Sequence, residues 1–258
     1  MNKFVMIVGA QKCGTTSMHN WLGQHPYICM SDPKEPQYFE REYWKGIEFY
    51  KEKYFSHYNG ETHCGEARVH NLIIKYVPER VKETFPDAKI IIMVRNPIHR
   101  YISAWNHFRV MRPGREIKTL NEAISEDEFT QQFNPNPAFQ SEEEFCTKLD
   151  PAGGPYDCAY LETGVYIDHI RRWSEWFGGV KVVVMEDLFR PHKVYNEVLD
   201  FIGAGSFTPE FVKMNVKPKD TSHNDSSYLR GYYRRSVDEL SEYMQRDLTN
   251  EWGFDTDD

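Results

Sequence analysis

The sequence predicts an α/β fold in which a P-loop-like central parallel β-sheet is flanked by helices on both faces. Residues 4–8, Lys89–Val94 and 180–185 are short, nearly continuous apolar runs rich in β-branched residues. That is the pattern of strands buried on both faces. Helical patterns separate these runs, as a parallel sheet requires. The first run passes into Gly9-Ala-Gln-Lys-Cys-Gly14, a glycine-bounded turn that leads into a helix.

The elements follow in order. The first strand stops at Gly9, and residues 17–24 read as a helix with Met18, Trp21 and Leu22 on one face. A helical stretch at Val77–Thr84 leads to the second strand. Residues 112–157 differ: they hold five prolines, Gly153-Gly154 and the acidic runs Glu126-Asp127-Glu128 and Glu142-Glu143-Glu144. They read as an insertion into a single domain spanning 1–258, either a solvated excursion or a lid over an acceptor pocket. After Gly205 the chain is polar as far as Ser227, then helical over 229–248.

Composition narrows the function. Among 258 residues, 39 are acidic and 31 basic, a net charge of −8. This argues against a dedicated nucleic-acid binder. No apolar run approaches the roughly 18 residues of a membrane span. The chain enters a strand-like run at once with no signal peptide, so a cytoplasmic address is expected. The five cysteines are irregularly spaced and suggest no disulfide framework. Cys146 and Cys158, which bracket a Gly/Pro-rich stretch, can pair only in an oxidising compartment.

The turn at Gly9–Gly14 has P-loop spacing, but Thr15 stands where a nucleotide hydrolase places its lysine. Its N–H groups and the following helix N-terminus make an anion site, with Thr15, Thr16 and Ser17 adding hydroxyls. The lysine lies inside the loop as Lys12. A second marker follows the second strand, where Arg95 and Ser103 are placed to clamp another phosphate. A triphosphate enzyme favours a metal-binding Asp at that strand end. Two anion sites with no evident metal ligand suggest a bisphosphorylated nucleotide and no metal.

Gln11-Lys-Cys-Gly-Thr-Thr16, Lys34-Glu-Pro-Gln-Tyr-Phe39, Gly65-Glu66-Ala67 and Ile92-Met-Val-Arg-Asn-Pro97 through Ser103 together resemble the sulfotransferase family. These enzymes use 3′-phosphoadenosine 5′-phosphosulfate (PAPS) and release adenosine 3′,5′-bisphosphate. The closest resemblance is to the branch that holds heparan sulfate enzymes and many bacterial ones. Gly164-Val-Tyr166, Trp173, Phe177 and Lys217-Pro-Lys219 fit the same order. The resemblance implies that Lys12, Cys13, Gly14, Thr15, Thr16 and Ser17 hold the 5′-phosphosulfate. It implies that Arg95 and Ser103 hold the 3′-phosphate, and that Lys217 and Lys219 lie in a late loop closing over the nucleotide.

Sulfuryl transfer needs a base for the acceptor proton and a cation for the leaving phosphate. Lys12 suits the second role. Glu35 matches the glutamate that the resemblance implies as base, with Lys34 beside it to tune it or position the sulfonate. His70 is the competing base, because the cytosolic small-molecule members use a histidine. Arg68-Val69-His70 departs from the branch pattern, and Arg68 reads as a contact for acceptor or sulfonate. Tyr38, Phe39, Trp105, Tyr160 and Tyr166 are candidates to line the acceptor cleft, although aromatics at such spacings are more often core. The acceptor expected is a neutral or cationic small molecule of natural-product type, and the alternative is a heparan-like polysaccharide. A P-loop kinase or NTPase, or a non-catalytic nucleotide-binding protein, stands as the competing class.

Overall fold

The computed structural model describes residues 3–111, 118–133, 160–212 and 227–255. Five parallel strands form one sheet: β1 (Lys3–Gly9), β2 (Ile28–Met30), β3 (His63–Ala67), β4 (Lys89–Val94) and β5 (Lys181–Val184). Their spatial order is β2-β3-β1-β4-β5. The helices are α1 (Thr15–Gly23), α2 (Gly46–Tyr54), α3 (Val77–Thr84), α4 (Pro97–Met111) and α5 (Leu120–Phe133). They continue with α6 (Tyr166–Phe177), α7 (Pro191–Ile202), α8 (Ser227–Met244) and α9 (Leu248–Glu251). The expected fold class is the observed one.

The central strands β1 and β4 are buried after their first residue. They register from Val5 beside Lys89 to Gly9 beside Ile92. The edge of the sheet formed by β2 and β3 was absent from the sequence reading. His63-Cys-Gly-Glu-Ala67 holds no β-branched residue, so propensity conceals it. Its backbone must nevertheless approach closely: a Cβ on Gly65 would lie 2.8 Å from the Val5 carbonyl and 2.9 Å from Met30 Sδ. Only glycine fits there.

Residues 180–185 shorten to β5 plus a 3-10 turn over Met185–Phe189. The insertion expected at 112–157 contains α5, which buries Leu120, Ala123 and Ile124. Their i, i+3, i+4 spacing puts them on one face, which packs against α8. The rest of that insertion, with Cys146 and Cys158, lies outside the described residues. Among those described, no helix is long and apolar enough to cross a membrane.

The strand order places the crossover reversal at β1, and parallel sheets offer a ligand crevice at the carboxyl ends of strands beside such a point. Four of the segments singled out from the sequence leave the sheet at that end. Lys34 and Glu35 follow β2, Arg68 and His70 follow β3, the glycine loop follows β1, and Arg95 follows β4.

Candidate active site

A cleft of about 320 Å³ opens over these strand ends. Gln11, Lys12, Thr15, Thr16, Ser17, Arg95, Ser103 and His107 line one side, and Lys34, Glu35, Arg68 and His70 the other.

The glycine loop forms by local geometry. Lys12 and Gly14 are left-handed, with φ of 67° and 87°. Gly14 caps α1, and a Cβ there would meet Leu188 Cδ1 at 2.8 Å. The Cys13 N–H donates to the Ala10 carbonyl at 3.2 Å, and the Ala10 N–H ties the loop to the Met93 carbonyl at 2.7 Å. The first turn of α1 thus faces the cleft with its helix-terminal N–H groups and with Thr15, Thr16 and Ser17.

Arg95 leaves β4 beside this loop and donates through Nη1 to the Lys12 carbonyl at 3.4 Å. Tyr166 of α6 donates its hydroxyl to the Arg95 carbonyl at 2.9 Å and lies 3.8 Å from Cys13 Sγ. One buried phenol therefore touches both the glycine loop and the strand end that carries Arg95. Asn96 caps α4, accepting from the N–H groups of Ile98 and His99 at 3.0 and 3.3 Å. Arg100 is fully buried and donates to the Tyr160 carbonyl, so it does not enter the cleft.

The opposite wall is built from interlocked charges. Glu35 is left-handed, with φ of 69°, and its N–H donates to the Ala67 carbonyl at 3.0 Å. Its carboxylate pairs with the adjacent Lys34 and accepts from the Val69 N–H at 3.0 Å. Arg68 Nη1 stands 3.7 Å from its Oε2. Burial raises the Glu35 pKa, but the Lys34 and Arg68 charges and these hydrogen bonds outweigh it and hold the carboxyl below its ordinary value. Arg68 also donates through Nε to Glu40 Oε1 at 2.6 Å.

Beneath this wall lies Glu66, a buried carboxyl on β3. Tyr50 donates to its Oε2, and Asn71 Nδ2 donates to Oε1 at 3.3 Å. Burial pushes its pKa up to about 8, with the Glu40 charge adding to the rise while the Tyr50 bond and Arg68 oppose it.

The cleft unites Lys12, Gly14, Thr15, Thr16, Ser17, Lys34, Glu35, Arg68, His70, Arg95 and Ser103. The expectations for six side chains are corrected. The Cys13 side chain is wholly buried, its thiol pushed up to about 11 chiefly by burial, so it turns away from any ligand. Tyr38 and Phe39 belong to an aromatic core cluster with Tyr50 and Phe85. Trp105 is buried and donates to the Lys118 carbonyl at 3.1 Å. Tyr160 is 3% exposed and packs against Tyr101 and Phe108. Tyr166 is likewise buried, as the strut described above. Lys217 and Lys219 lie outside the described residues.

The sequence reading missed Gln11, Val69, His107, Phe108 and Met185, which also line the cleft. His107 was the most accessible of them: it lies one helical turn beyond Ser103 and shares its face. Among the described residues, no group of three or more His, Cys, Asp or Glu side chains is placed to hold a metal ion.

A family model described as "Sulfotransferase domain" matches residues 2–255. The membrane-associated sulfotransferase kil1 of Dictyostelium discoideum is 24% identical over 94% of this chain and 65% of its own length. The bifunctional heparan sulfate N-deacetylase/N-sulfotransferase 1 of Mus musculus is 27% identical over 83% of this chain, a stretch that is 24% of that protein. The chain thus spans less than two thirds of either relative. A crystal structure of a sulfotransferase from Alicyclobacillus acidocaldarius superposes with a TM-score of 0.74 at 27% identity, covering 96% of this chain and 98% of that one.

Proposed function

The chain belongs to the sulfotransferase domain family, and we propose that it moves the sulfuryl group of PAPS to a hydroxyl or amine of a small-molecule acceptor. The observation that carries this reading is the pairing of two anion-binding segments across one cleft from a carboxylate. Lys12 and the α1 N-terminus suit the 5′-phosphosulfate, and Arg95 with Ser103 suits the 3′-phosphate. Both phosphate contacts come from residues the cleft already holds together, so the bisphosphate nucleotide fits the donor set.

In this reading Glu35 is the base. The acceptor oxygen or nitrogen attacks sulfur while Glu35 takes its proton. The bond from sulfur to the phosphate oxygen breaks, and its electron pair leaves with that oxygen beside Lys12. The Lys34 and Arg68 charges keep Glu35 ionised and ready to accept. A lowered pKa also weakens it as a base, so acceptor binding that draws Lys34 away would strengthen it.

For the acceptor, the small-molecule reading is favoured by the cations of this wall. Lys34 is paired with Glu35, and Arg68 with Glu40 and Glu35. They do not form a track for a polyanion. A glycan acceptor stands second, supported by the relatives named for heparan sulfate. The test is a thermal-shift comparison followed by a transfer assay. Adenosine 3′,5′-bisphosphate should raise Tm well above the shift given by ATP with Mg²⁺. An equal or larger shift with ATP–Mg²⁺ would overturn the PAPS reading of this cleft. Labelled PAPS offered to small alcohols and amines beside desulfated glycans then separates the two acceptor readings.

A further inference from the structure

The Arg68 fork reaches Glu40, Glu35 and His70. Its Nε donates to Glu40 at 2.6 Å, its Nη1 stands 3.7 Å from Glu35, and its Nη2 lies 3.0 Å from His70 Nδ1. A guanidinium has donors only and stays charged. His70 Nδ1 must therefore accept, which leaves the ring proton on Nε2. The fork is held from below: Glu40 is wholly buried, and Arg68 is 8% exposed. A charge-assisted bond in such surroundings is strong and directional. For His70 Nε2 to act as a base, its proton would have to move to Nδ1. There it would face an N–H of Arg68.

We propose that Arg68, clamped by Glu40, is a positioning residue that fixes His70 as an Nε2–H donor to the transferring sulfonate, leaving Glu35 as the base. This rests on the sulfuryl-transfer reading above. His70 lines the same cleft as Lys12 and Glu35. During transfer its proton stays on Nε2: Glu35 takes the acceptor proton, and the leaving phosphate oxygen takes the electron pair from sulfur. The donor acts on the equatorial sulfonate oxygens, where a preorganised hydrogen bond favours the transition state. The histidine that competed with Glu35 for the role of base thus becomes its complement.

The first measurement needs no cosubstrate. Two-bond ¹H–¹⁵N spectra of histidine-labelled protein distinguish the tautomers, and His70 should show Nε2–H. A ring protonated on Nδ1 instead overturns the proposal. The second compares His70→Ala with His70→Gln, whose amide N–H reaches the Nε2 position. Loss of a transition-state donor costs about 10²-fold in kcat. His70→Gln should recover most of that loss with the KM for PAPS unchanged, and a Gln variant as slow as Ala overturns the donor role. The third is Arg68→Lys, which keeps a cation for Glu40 but loses the fork. It should mix the tautomers and lower kcat by about 10-fold, a typical cost of one lost charge-assisted hydrogen bond. Its affinity for adenosine 3′,5′-bisphosphate should be unchanged; an unchanged tautomer with wild-type kcat overturns the positioning role. If Arg68→Lys fails to fold, the wild-type spectrum and the His70 pair still decide. Wild-type protein that binds no bisphosphate overturns the PAPS reading and the donor role together. A bound bisphosphate with an Nδ1–H ring overturns the donor role alone.

Discussion

The two sides of the cleft are built by different means. Over β1 and β4 the cleft-lining groups come from main-chain turns, short hydroxyls and a strand-end arginine, stiffened by Tyr166. Over β2 and β3 they come from charged side chains locked to one another: Lys34 to Glu35, Arg68 to Glu35, Glu40 and His70. A main-chain cradle holds a fixed anion and leaves little to vary. A lattice of side-chain charges tunes protons. The first side suits binding and the second chemistry, so variants on the two sides should separate affinity from turnover.

The largest expected effect is at Glu35. Glu35→Gln keeps the shape and removes the proton acceptor, and a general base contributes about 10²- to 10⁴-fold to rate. Turnover at saturating PAPS should fall by that range while adenosine 3′,5′-bisphosphate binds as in the wild type. Normal turnover in this variant would show that Glu35 is not the base and would return that role to His70 on the same wall.

The same division governs what could be read in advance. The glycine loop is local: a strand, six residues and a helix start, each recognisable from its own residues. Arg95 and Ser103 follow a strand marked by three consecutive isoleucines, so they too were visible. Glu35 was found by resemblance, but its φ of 69° and its bond to the Val69 N–H depend on a strand that propensity concealed. Glu40 was invisible as a functional residue because its partner lies 28 positions away. The aromatics Tyr38 and Phe39 were expected at the cleft for want of a long-range signal. Only packing shows that they fill the space beside Tyr50 and Phe85. Side-chain lattices between distant segments leave no periodicity to read, whereas turns and strand ends do.

A second effect concerns Glu66, beneath the charged wall. Its pKa is raised from 4.5 to about 8, first by burial. Below about pH 4.5 both folded and unfolded chains hold this proton, and the site is neutral to stability. Between about 4.5 and 8 the unfolded chain has lost the proton and the folded one keeps it, so stability falls as pH rises. Glu35 works in the opposite direction, since its lowered pKa favours the fold as pH rises in the acidic range. Glu66→Gln removes the Glu66 titration. Its side-chain oxygen can accept from Tyr50, while its N–H₂ can donate to Asn71 Oδ1 once that amide flips; this oxygen has no hydrogen-bond partner in the wild type. Denaturant titration should show the variant gaining on the wild type by about 2–5 kcal/mol between pH 5 and pH 9. A gap that stays constant with pH would mean that Glu66 is already ionised in the fold.

The smallest effect tests the strut on the binding side. Tyr166→Phe keeps the buried ring and deletes the hydroxyl that joins the Arg95 carbonyl to Cys13. Arg95→Ala removes a charged phosphate partner outright, and charge-assisted bonds are worth about 1.5–3 kcal/mol, so affinity for adenosine 3′,5′-bisphosphate should fall about 10- to 100-fold. Tyr166→Phe leaves that guanidinium in place and loosens only its backbone anchor. A neutral hydrogen bond contributes about 0.5–1.5 kcal/mol, which sets the expected loss of affinity at about 3- to 10-fold. The KM for PAPS should rise to match, while kcat at saturation stays close to wild type, because Glu35, Arg68 and His70 stand on the other side of the cleft. Calorimetric titration of the bisphosphate beside steady-state kinetics measures both. A Tyr166→Phe variant that loses kcat but binds the bisphosphate normally would show that the strut acts on the chemistry, and the two sides of the cleft would then have to be treated as one mechanical unit.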